Sequence, residues 1–526
     1  VWEASDYVRK SCRRDPRLLR ELAAADLHCA YAPGELRGRL ASALAEVADQ
    51  PALARVLRRF RRREMVRIIW RDLAELSPLA ETLEDLSELA DACVGAGLER
   101  VYAWGCAEMG TPRDPAGQPQ PLVVLGMGKL GARELNLSSD IDLIFAFPRH
   151  GNTDGRRQIS NEQFFTRVCQ RLVQVLDAQD ADGFVFRVDT RLRPFGSAGP
   201  LAMCFDAMED YYQSQAREWE RYAMIKARVI AGDAAAGGEL QAMLRPFVYR
   251  RYLDFGAIES LRRMKSLISQ ELQRKGMADN IKLGPGGIRE IEFIGQAFQL
   301  IRGGREPDLQ VRPILRVLER LGAKDYLPAH AVRELSEAYV FLRRLENRLQ
   351  AWADRQTHLL PPEPEARLRL ARSMGFADWD QLKPVLERHR RRVQGHFDAV
   401  FAAPQAEDES PATPVTDLWR TSGDGERALA ALRGAGFQDP EAALERICAF
   451  RASRSFRSLS TRGRERLEQL MPLLLEAVSA LELPDLPLER LLKLLEAVVQ
   501  RTAYVALMVE NPIVLSQLVR PVSYTH

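Results

Sequence analysis

The 526-residue chain lacks any apolar run close to the ~18 residues that a membrane span requires, and no signal peptide opens it. Its charge is nearly balanced, with 75 Lys and Arg against 72 Asp and Glu, which does not favour nucleic acid as a partner. The seven cysteines form no CxxC pair, and the seven histidines show no ligand spacing, so zinc and histidine general-base catalysis are unsupported. We therefore expect a cytoplasmic protein with reduced thiols that binds neither a membrane nor nucleic acid.

Helical periodicity dominates what is present. Apolar residues recur at three- and four-residue spacing through most of the chain. A Pro/Gly-rich turn at 111–121 interrupts this pattern, and the convincing strands follow it. The predicted strands are Leu122–Leu125, Ile141–Phe147 and Phe184–Val188, with a helix at Asn161–Leu176. We predict the α+β class, predominantly helical, with a small mixed sheet embedded between helical domains.

The same reading predicts five segments. They are a helical leader at 1–105, a mixed core at 106–235, a helical domain at 236–403, a linker at 404–416 and a helical block at 417–526. Because the chain starts at Val1 and stops soon after an apolar helical stretch, we expect it to be a fragment.

An arginine-rich stretch in the leader, Arg55 to Arg71, has two interpretations. Its arginines alternate with apolar residues such as Leu57 and Ile68. It could be a patch that binds phosphate or an acidic partner. An amphipathic helix with a solvated basic face is the interpretation that charge runs favour, and we predict that structure.

The segment from Val123 to Phe147 carries the chemistry. Gly126, Gly128 and Gly131 spell GxGxxG after a strand, the fingerprint of dinucleotide binding. In that fold an acidic residue follows about 20 residues later, at the end of the second strand. Here Asp140 and Asp142 come earlier and stand at the start of the next strand. The context therefore argues against a dinucleotide site.

A metal-dependent nucleotidyltransferase explains the same residues better. Residues i and i+2 of a strand project from one face, so Asp140 and Asp142 point the same way. Two carboxylates aimed at one point repel unless a cation joins them, and hard oxygen ligands suit Mg²⁺. The preceding glycines let backbone amides approach phosphates, and Lys129 adds a positive charge.

The third predicted strand offers another carboxylate. Between Phe184 and Arg193, apolar residues alternate with Arg187, Asp189, Arg191 and Arg193. A solvated charged face would explain this pattern for Asp189 alone. Beside the Asp140 and Asp142 pair, the alternation favours a phosphate-handling metal site.

Two further clusters are ambiguous. The stretch from Trp219 to Arg228 is predicted to bring Glu220, Lys226 and Arg228 together on a helix, as nucleotide-phosphate ligands or as an exposed polar stripe. The glycine turn 282–287 runs into a helix with acidic residues, where it could hold an anion or serve only as a cap.

Several segments together resemble the bacterial glutamine synthetase adenylyltransferase/adenylyl-removing family, and they cover nearly the whole chain. The similar segments are 126–147, 187–201, 219–233, 250–254, 284–293, 341–350 and 354–361. That family carries two nucleotidyltransferase copies of the polymerase-β-like fold. The N-terminal copy removes AMP from a glutamine synthetase tyrosine and the C-terminal copy adds it. This chain has one copy, and the sequences of its motifs resemble those of the N-terminal copy.

The resemblance implies a function and a site. It implies phosphorolysis, in which phosphate attacks the adenylyl-tyrosine and releases ADP, with Mg²⁺ or Mn²⁺ as cofactor. The implied metal carboxylates are Asp140, Asp142 and Asp189. The implied phosphate and nucleotide ligands are Gly126, Gly128, Lys129, Ser139, Arg191, Arg193, Lys226 and Arg228. The implied partners are glutamine synthetase and a PII signalling protein, and the helical domain resembles that of PII-uridylyltransferases.

Two alternatives stay open. The single copy could transfer AMP from ATP, since the chemistry shares a transition state with removal. It could instead be a catalytically idle docking module for glutamine synthetase and PII. Nucleic-acid polymerisation, which uses the same fold, is disfavoured by the near-neutral charge and the lack of a recognisable strand-binding module.

Overall fold

The computed structural model describes residues 1–24, 27–250, 279–401, 419, 425–459, 461–481 and 483–498. The chain forms two compact units, one of Val1–Tyr252 with Lys265–Val400 and one of Leu253–Met264 with Phe401–His526. The predicted linker at 404–416 lies outside the described residues. None of the described helices is both long and apolar enough to cross a membrane. The five predicted segment boundaries stay predictions.

Helices make up most of the described chain. In the first unit they are α1 Asp6–Arg14, α2 Pro16–Ala24, α3 Glu35–Ala43, α4 Gln50–Leu73, α5 Leu79–Met109, α6 Gly128–Gly131, α7 Asn161–Asp177, α8 Phe205–Ser214, α9 Glu218–Met224, α10 Ala234–Val248, α11 Ile288–Arg302, α12 Ile314–Ala323, α13 Ala329–Ala351, α14 Pro364–Ser373 and α15 Trp379–Phe401. After it come α16 Gly425–Gly434, α17 Pro440–Ala452, α18 Arg454–Arg457, α19 Thr461–Ser479 and α20 Asp485–Val498.

A five-stranded mixed sheet lies in the first unit. The described strands of this unit are β1 Pro112–Arg113, β2 Val123–Gly126, β3 Ile141–Phe147, β4 Asn152–Thr153, β5 Val188–Asp189, β6 Ala202–Cys204 and β7 Arg228–Gly232. The five-stranded sheet consists of β2, β3, β5, β6 and β7. β2 runs antiparallel to both β3 and β7, and β3 pairs in parallel with β5 at its start and β6 at its end. β1 and β4 form a separate pair. The predicted class, predominantly helical with a small mixed sheet, is confirmed.

The predicted elements of the sheet were only partly right. The strand at Ile141–Phe147 is confirmed, and the helix predicted at Asn161–Leu176 extends to Asp177. The strand predicted at Phe184–Val188 is wrong, because β5 spans only Val188–Asp189. The backbone N–H groups of Val185 and Phe186 instead donate to the Leu176 carbonyl, at 3.0 Å each. β6 and β7 were not predicted, since three to five residues are too few to show a period.

Strand direction settles the meaning of the glycine fingerprint. A dinucleotide fold joins two parallel strands through a crossover helix. Here α6 has four residues, and the strands on either side of it, β2 and β3, pair antiparallel. The topology therefore agrees with the rejection of a dinucleotide site.

The arginine-rich helix α4 corrects a prediction. Four of its arginines are buried, at 1–6% exposure, rather than displayed on a solvated face. Each of the four is paired with a carboxylate: Arg58 with Asp180, Arg61 with Asp354, Arg67 with Asp85 and Arg71 with Glu81. These four side chains form neither a solvated face nor a free phosphate patch, because each is buried against a carboxylate. Asp180 and Asp354 are distant from their arginines in sequence, whereas Asp85 and Glu81 are 18 and 10 residues away.

Helix α13 lies against the segment that joins the turn Gly126–Gly131, from here on called the glycine turn, to β3. The Arg343 side chain donates to the Glu134 carbonyl at 2.5 Å, and the backbone N–H of Ser138 donates to Gln350 at 2.9 Å. All four residues are buried. The helical part after residue 279 thus contacts the candidate site directly.

The unit that begins at Leu253 has its own apolar core. Described helices α16–α20 surround it, and its buried residues include Trp419, Phe450, Leu470 and Leu491. Within the helical block predicted at 417–526, α20 begins at Asp485 and ends at Val498, and the residues after Val498 lie outside the described ones.

Candidate active site

Three aspartates meet at the start of β3, and we name Asp140, Asp142 and Asp189 the acidic cluster. Asp140 directly precedes β3 and Asp142 is its second residue. The parallel register of β3 and β5 pairs Asp142 with Asp189. All three side chains are intermediate in exposure. The prediction that these residues converge is therefore supported, although the strand that carries Asp189 is shorter than predicted.

The acidic cluster is electrostatically unbalanced. Burial, together with the nearby carboxylates of Asp140 and Asp189, raises the pKa of Asp142 to about 6. A hydrogen bond from Arg191 lowers the pKa of Asp189. Asp140 accepts a hydrogen bond from the side-chain amide of Gln356. Like charges held this close are stable only where a cation or a proton compensates them.

The donor set suits Mg²⁺ or Mn²⁺ by its chemistry, since both prefer carboxylate oxygens. Within the described ranges, however, no three His, Cys, Asp or Glu side chains stand in an arrangement that could hold a metal ion. Two of the aspartates have other partners: Arg191 Nε lies 3.1 and 2.9 Å from the two Asp189 oxygens, and Gln356 is bonded to Asp140. The metal and its ligand set remain predictions.

The glycine turn brings backbone close to Asp142. Gly128 has a left-handed φ of 53°, and a Cβ there would stand 3.2 Å from Asp142 Oδ2. A Cβ on Gly131 would fall 1.9 Å from the Lys226 carbonyl, so a side chain is sterically excluded. Gly126 is restricted by Ile230, which a Cβ would approach to 2.8 Å. Of these three glycines, Gly128 faces the acidic cluster.

Lys129 is held away from that cluster by an ion pair. Its Nζ donates to both carboxylate oxygens of Glu346 in α13, at 2.9 and 3.1 Å. Glu346 is fully buried, and His358 Nδ1 and Arg343 Nε lie 2.8 and 3.3 Å from its oxygens. Burial lowers the pKa of Lys129 to about 7. Although burial alone would raise it, Lys129 and Arg343 hold the pKa of Glu346 well below its usual range.

Lys226 belongs to the same buried group. Its Nζ lies 2.6 Å from Glu292 and 3.4 Å from Glu134. We name Lys129, Lys226, Arg343, Glu134, Glu292 and Glu346 the buried charge network. Lys129 comes from the glycine turn, Glu134 from the segment between that turn and β3, and Lys226 from the segment before β7, while helices α11 and α13 supply the other three members.

The other predicted phosphate ligands differ in their surroundings. The predicted helix that carries Glu220, Lys226 and Arg228 is wrong, because α9 ends at Met224 and contains only Glu220 of the three. Lys226 lies in the turn after α9, and Arg228 begins β7, where it pairs with Asp91 at 2.7 and 3.0 Å. Arg191 is largely exposed. Arg193 donates to the carbonyls of Thr190, Ser197 and Gly199. Ser139, half-buried, precedes Asp140.

Sequence reasoning missed Gln356 and Glu346 as neighbours of the site. They lie more than 200 residues after Asp140 and Lys129 in the chain, separated from them by helices α7–α12. Both stand in segments noted only for family resemblance, 341–350 and 354–361. That resemblance was the available signal, because no local spacing connects a glutamine to a distant aspartate.

Comparison with known proteins covers most of the chain. Residues 1–243 match the family model described as glutamate-ammonia ligase adenylyltransferase, and residues 262–401 match that described as GlnD PII-uridylyltransferase. Among similar curated proteins are those of Nitrosococcus oceani (55% identical), Thioalkalivibrio sulfidiphilus (52%) and Pseudomonas putida (53%). Each is named bifunctional glutamine synthetase adenylyltransferase/adenylyl-removing enzyme. The matches cover 98–99% of this chain and 54% of each relative, so the chain spans about half their length.

Proposed function

We propose that this chain, whose residues 1–243 match the glutamate-ammonia ligase adenylyltransferase family model, removes AMP from an adenylylated tyrosine of glutamine synthetase by metal-dependent phosphorolysis. In this reaction an oxygen of inorganic phosphate attacks the phosphorus of the AMP group. The bond from phosphorus to the tyrosyl oxygen breaks, and that oxygen takes the proton that phosphate carried. The products are ADP and free tyrosine.

The observation that carries this proposal is the acidic cluster beside the glycine turn. Phosphate is already an anionic nucleophile, so the reaction needs no histidine base. It needs its reacting groups held in line and their charge neutralised. The three aspartates, beside a turn whose Gly128 backbone comes close to Asp142, would meet those needs once a metal ion is bound, and they lie within the stretch that the family model matches.

The chain's own residues have distinct expected roles. Asp140, Asp142 and Asp189 would hold Mg²⁺ or Mn²⁺, which when bound neutralises charge on the transferring phosphoryl group. Gly128 lets the backbone approach the phosphates. Arg191, exposed at the edge of the cluster, is the arginine best able to reach incoming phosphate. Gly126, Lys129, Ser139, Arg193, Lys226 and Arg228 remain predicted ligands, and the paired lysines and Arg228 would have to exchange partners to serve.

The names of the relatives support glutamine synthetase as the protein substrate. We also expect a PII signalling protein as a partner. The match of residues 262–401 to the PII-uridylyltransferase model supports a regulatory role for the helical part of the chain.

ADP formation tests the proposal. The purified chain is mixed with adenylylated glutamine synthetase, phosphate and Mg²⁺, with and without PII protein, beside an Asp140→Ala/Asp142→Ala control. We expect ADP and deadenylylated glutamine synthetase from the unaltered chain, and neither from the control.

The alternatives give different products. Pyrophosphate released from ATP, with AMP added to glutamine synthetase, would favour the adenylyltransferase. Binding to glutamine synthetase and PII without turnover, unaffected by the aspartate substitutions, would favour a docking module. Either result would overturn the removal proposal.

A further inference from the structure

A loop between α13 and α14 reaches the acidic cluster. It begins at Trp352 and ends at Glu363, and its Gln356 side-chain amide donates to Asp140 Oδ1. The loop is also hydrogen-bonded to the segment before α11, since the backbone N–H of Ile281 donates to the His358 carbonyl at 2.9 Å. A residue from the helical part of the chain therefore contacts a candidate metal carboxylate of the sheet.

The loop is fixed at its start by an ion pair with the leader. Arg61 of α4 makes two parallel hydrogen bonds to the Asp354 carboxylate, at 2.8 and 3.1 Å. Both side chains are nearly buried, at 5% and 7% exposure. Asp354 has a left-handed φ of 50°, which Asp and Asn tolerate better than most residues. This two-bond geometry sets the direction in which the loop leaves α13.

Arg61 also contacts the segment that leads to Asp189. Its guanidinium lies 4.6 Å from the ring centroid of Phe184 and 5.6 Å from that of Phe186. These rings precede β5, which carries Asp189. One buried arginine thus touches the two segments that deliver Gln356 and Asp189 to the acidic cluster.

We propose that Gln356 is a positioning residue that holds the Asp140 carboxylate, and that the buried Arg61–Asp354 pair keeps the Gln356 loop in place. A carboxylate that ligates a metal needs a fixed orientation, and the partners that supply it affect metal affinity about 10- to 100-fold. Gln356 is itself exposed, so its direction depends on the loop. The inference rests on the proposed function, in which Asp140 is a metal ligand.

Three variants of the full chain separate positioning from folding. Gln356→Ala removes the amide. Leu359→Ser is its matched control in the same loop, since the Leu359 side chain is 53% exposed. Arg61→Met/Asp354→Asn removes both charges of the buried pair together, because a single substitution would leave one charge buried and unpaired. Asn at position 354 also tolerates the left-handed backbone.

The readouts are Mn²⁺ binding by calorimetry without substrate, and kcat and KM for ADP formation. We expect Gln356→Ala to raise the Kd for Mn²⁺ and lower kcat, each about 10-fold, with KM for adenylylated glutamine synthetase and the Tm unchanged. The double variant should weaken Mn²⁺ binding in the same direction, and Leu359→Ser should match the unaltered chain.

Three results would overturn the inference: no Mn²⁺ binding by the unaltered chain, unchanged binding in Gln356→Ala, or tighter binding in Gln356→Ala. The last would mean that the amide competes with the metal for Asp140. If Gln356→Ala weakens Mn²⁺ binding while the unaltered chain forms no ADP, the positioning role stands and phosphorolysis fails.

Discussion

The acidic cluster and the buried charge network both contact the glycine turn Gly126–Gly131, and their charges are arranged differently. In the acidic cluster three carboxylates converge, and the pKa of Asp142 rises to about 6 from burial and its neighbours. In the buried charge network three cations face three carboxylates, and Glu346 and Glu292 keep pKa values below the usual range. Carboxylates outnumber cations in the acidic cluster, whereas the buried charge network contains three of each.

The difference indicates where a charged ligand is needed. A balanced buried network satisfies its own members, so it stabilises the packing of α11 and α13 against the turn. An unbalanced cluster at the surface destabilises the free protein and gains from a cation. Substitutions in the acidic cluster should therefore mainly lower activity, and substitutions in the buried charge network should mainly lower the free energy of unfolding.

Asp142→Asn should give the largest effect on activity. It removes a candidate metal carboxylate, and loss of the several kcal/mol that a metal contributes slows the reaction about 10³-fold. Because the same change removes the cost of burying a charge and also the repulsion with Asp140 and Asp189, it should raise the free energy of unfolding at pH 7 by about 1–3 kcal/mol. ADP release and denaturant unfolding measure the two quantities.

Asp210→Asn serves as the control, since Asp210 is exposed on α8. It should change neither quantity measurably. If Asp142→Asn were inactive and also less stable, the loss of activity would reflect damaged folding, and the contrast between the two groups would fail.

Glu346→Gln should give the largest loss of stability. It leaves Lys129 and Arg343 buried without their shared carboxylate, and breaking a buried pair from one side costs about 3–5 kcal/mol. Thermal and denaturant unfolding check this value.

The matched substitution is Glu337→Gln on the same helix. Glu337 is 52% exposed and lies 3.8 Å from Arg392, so its loss should cost less than about 1 kcal/mol. If both substitutions lowered the free energy of unfolding equally, the buried ion pairs of Glu346 would contribute no more stability than the exposed Glu337 does.

The same contrast explains what the sequence could reveal. The acidic cluster was predictable because Asp140 and Asp142 stand two residues apart at the start of an apolar strand, and Asp189 lies in the same predicted core, 106–235. The surroundings of Lys129 were not, because its partner Glu346 comes 217 positions later on a helix. Arg61 of α4 was misassigned to a solvated face for the same reason: its partner Asp354 is 293 residues away. Local spacing identifies convergent charges, and only tertiary packing identifies their counter-charges.

Acid should weaken the buried charge network through Glu292. Although burial alone would raise it, Lys226 and Lys129 lower the pKa of Glu292 to about 2, from an ordinary 4.5. Between these values the unfolded chain binds more protons than the folded one, so stability is fully present above pH 4.5 and falls as the pH drops toward 2. The shift corresponds to about 3 kcal/mol.

Glu292→Gln isolates this contribution from the many other carboxylates that titrate in acid. At pH 7 the variant should be less stable than the unaltered chain by about 3 kcal/mol, and the gap should close as the pH falls from 4.5 toward 2. Glu337→Gln, from the exposed surface, should run parallel to the unaltered chain throughout. Denaturant unfolding at a series of pH values gives the three curves. A gap that stays constant with pH would mean that Glu292 stabilises the chain by packing, and that the network does not depend on its charge.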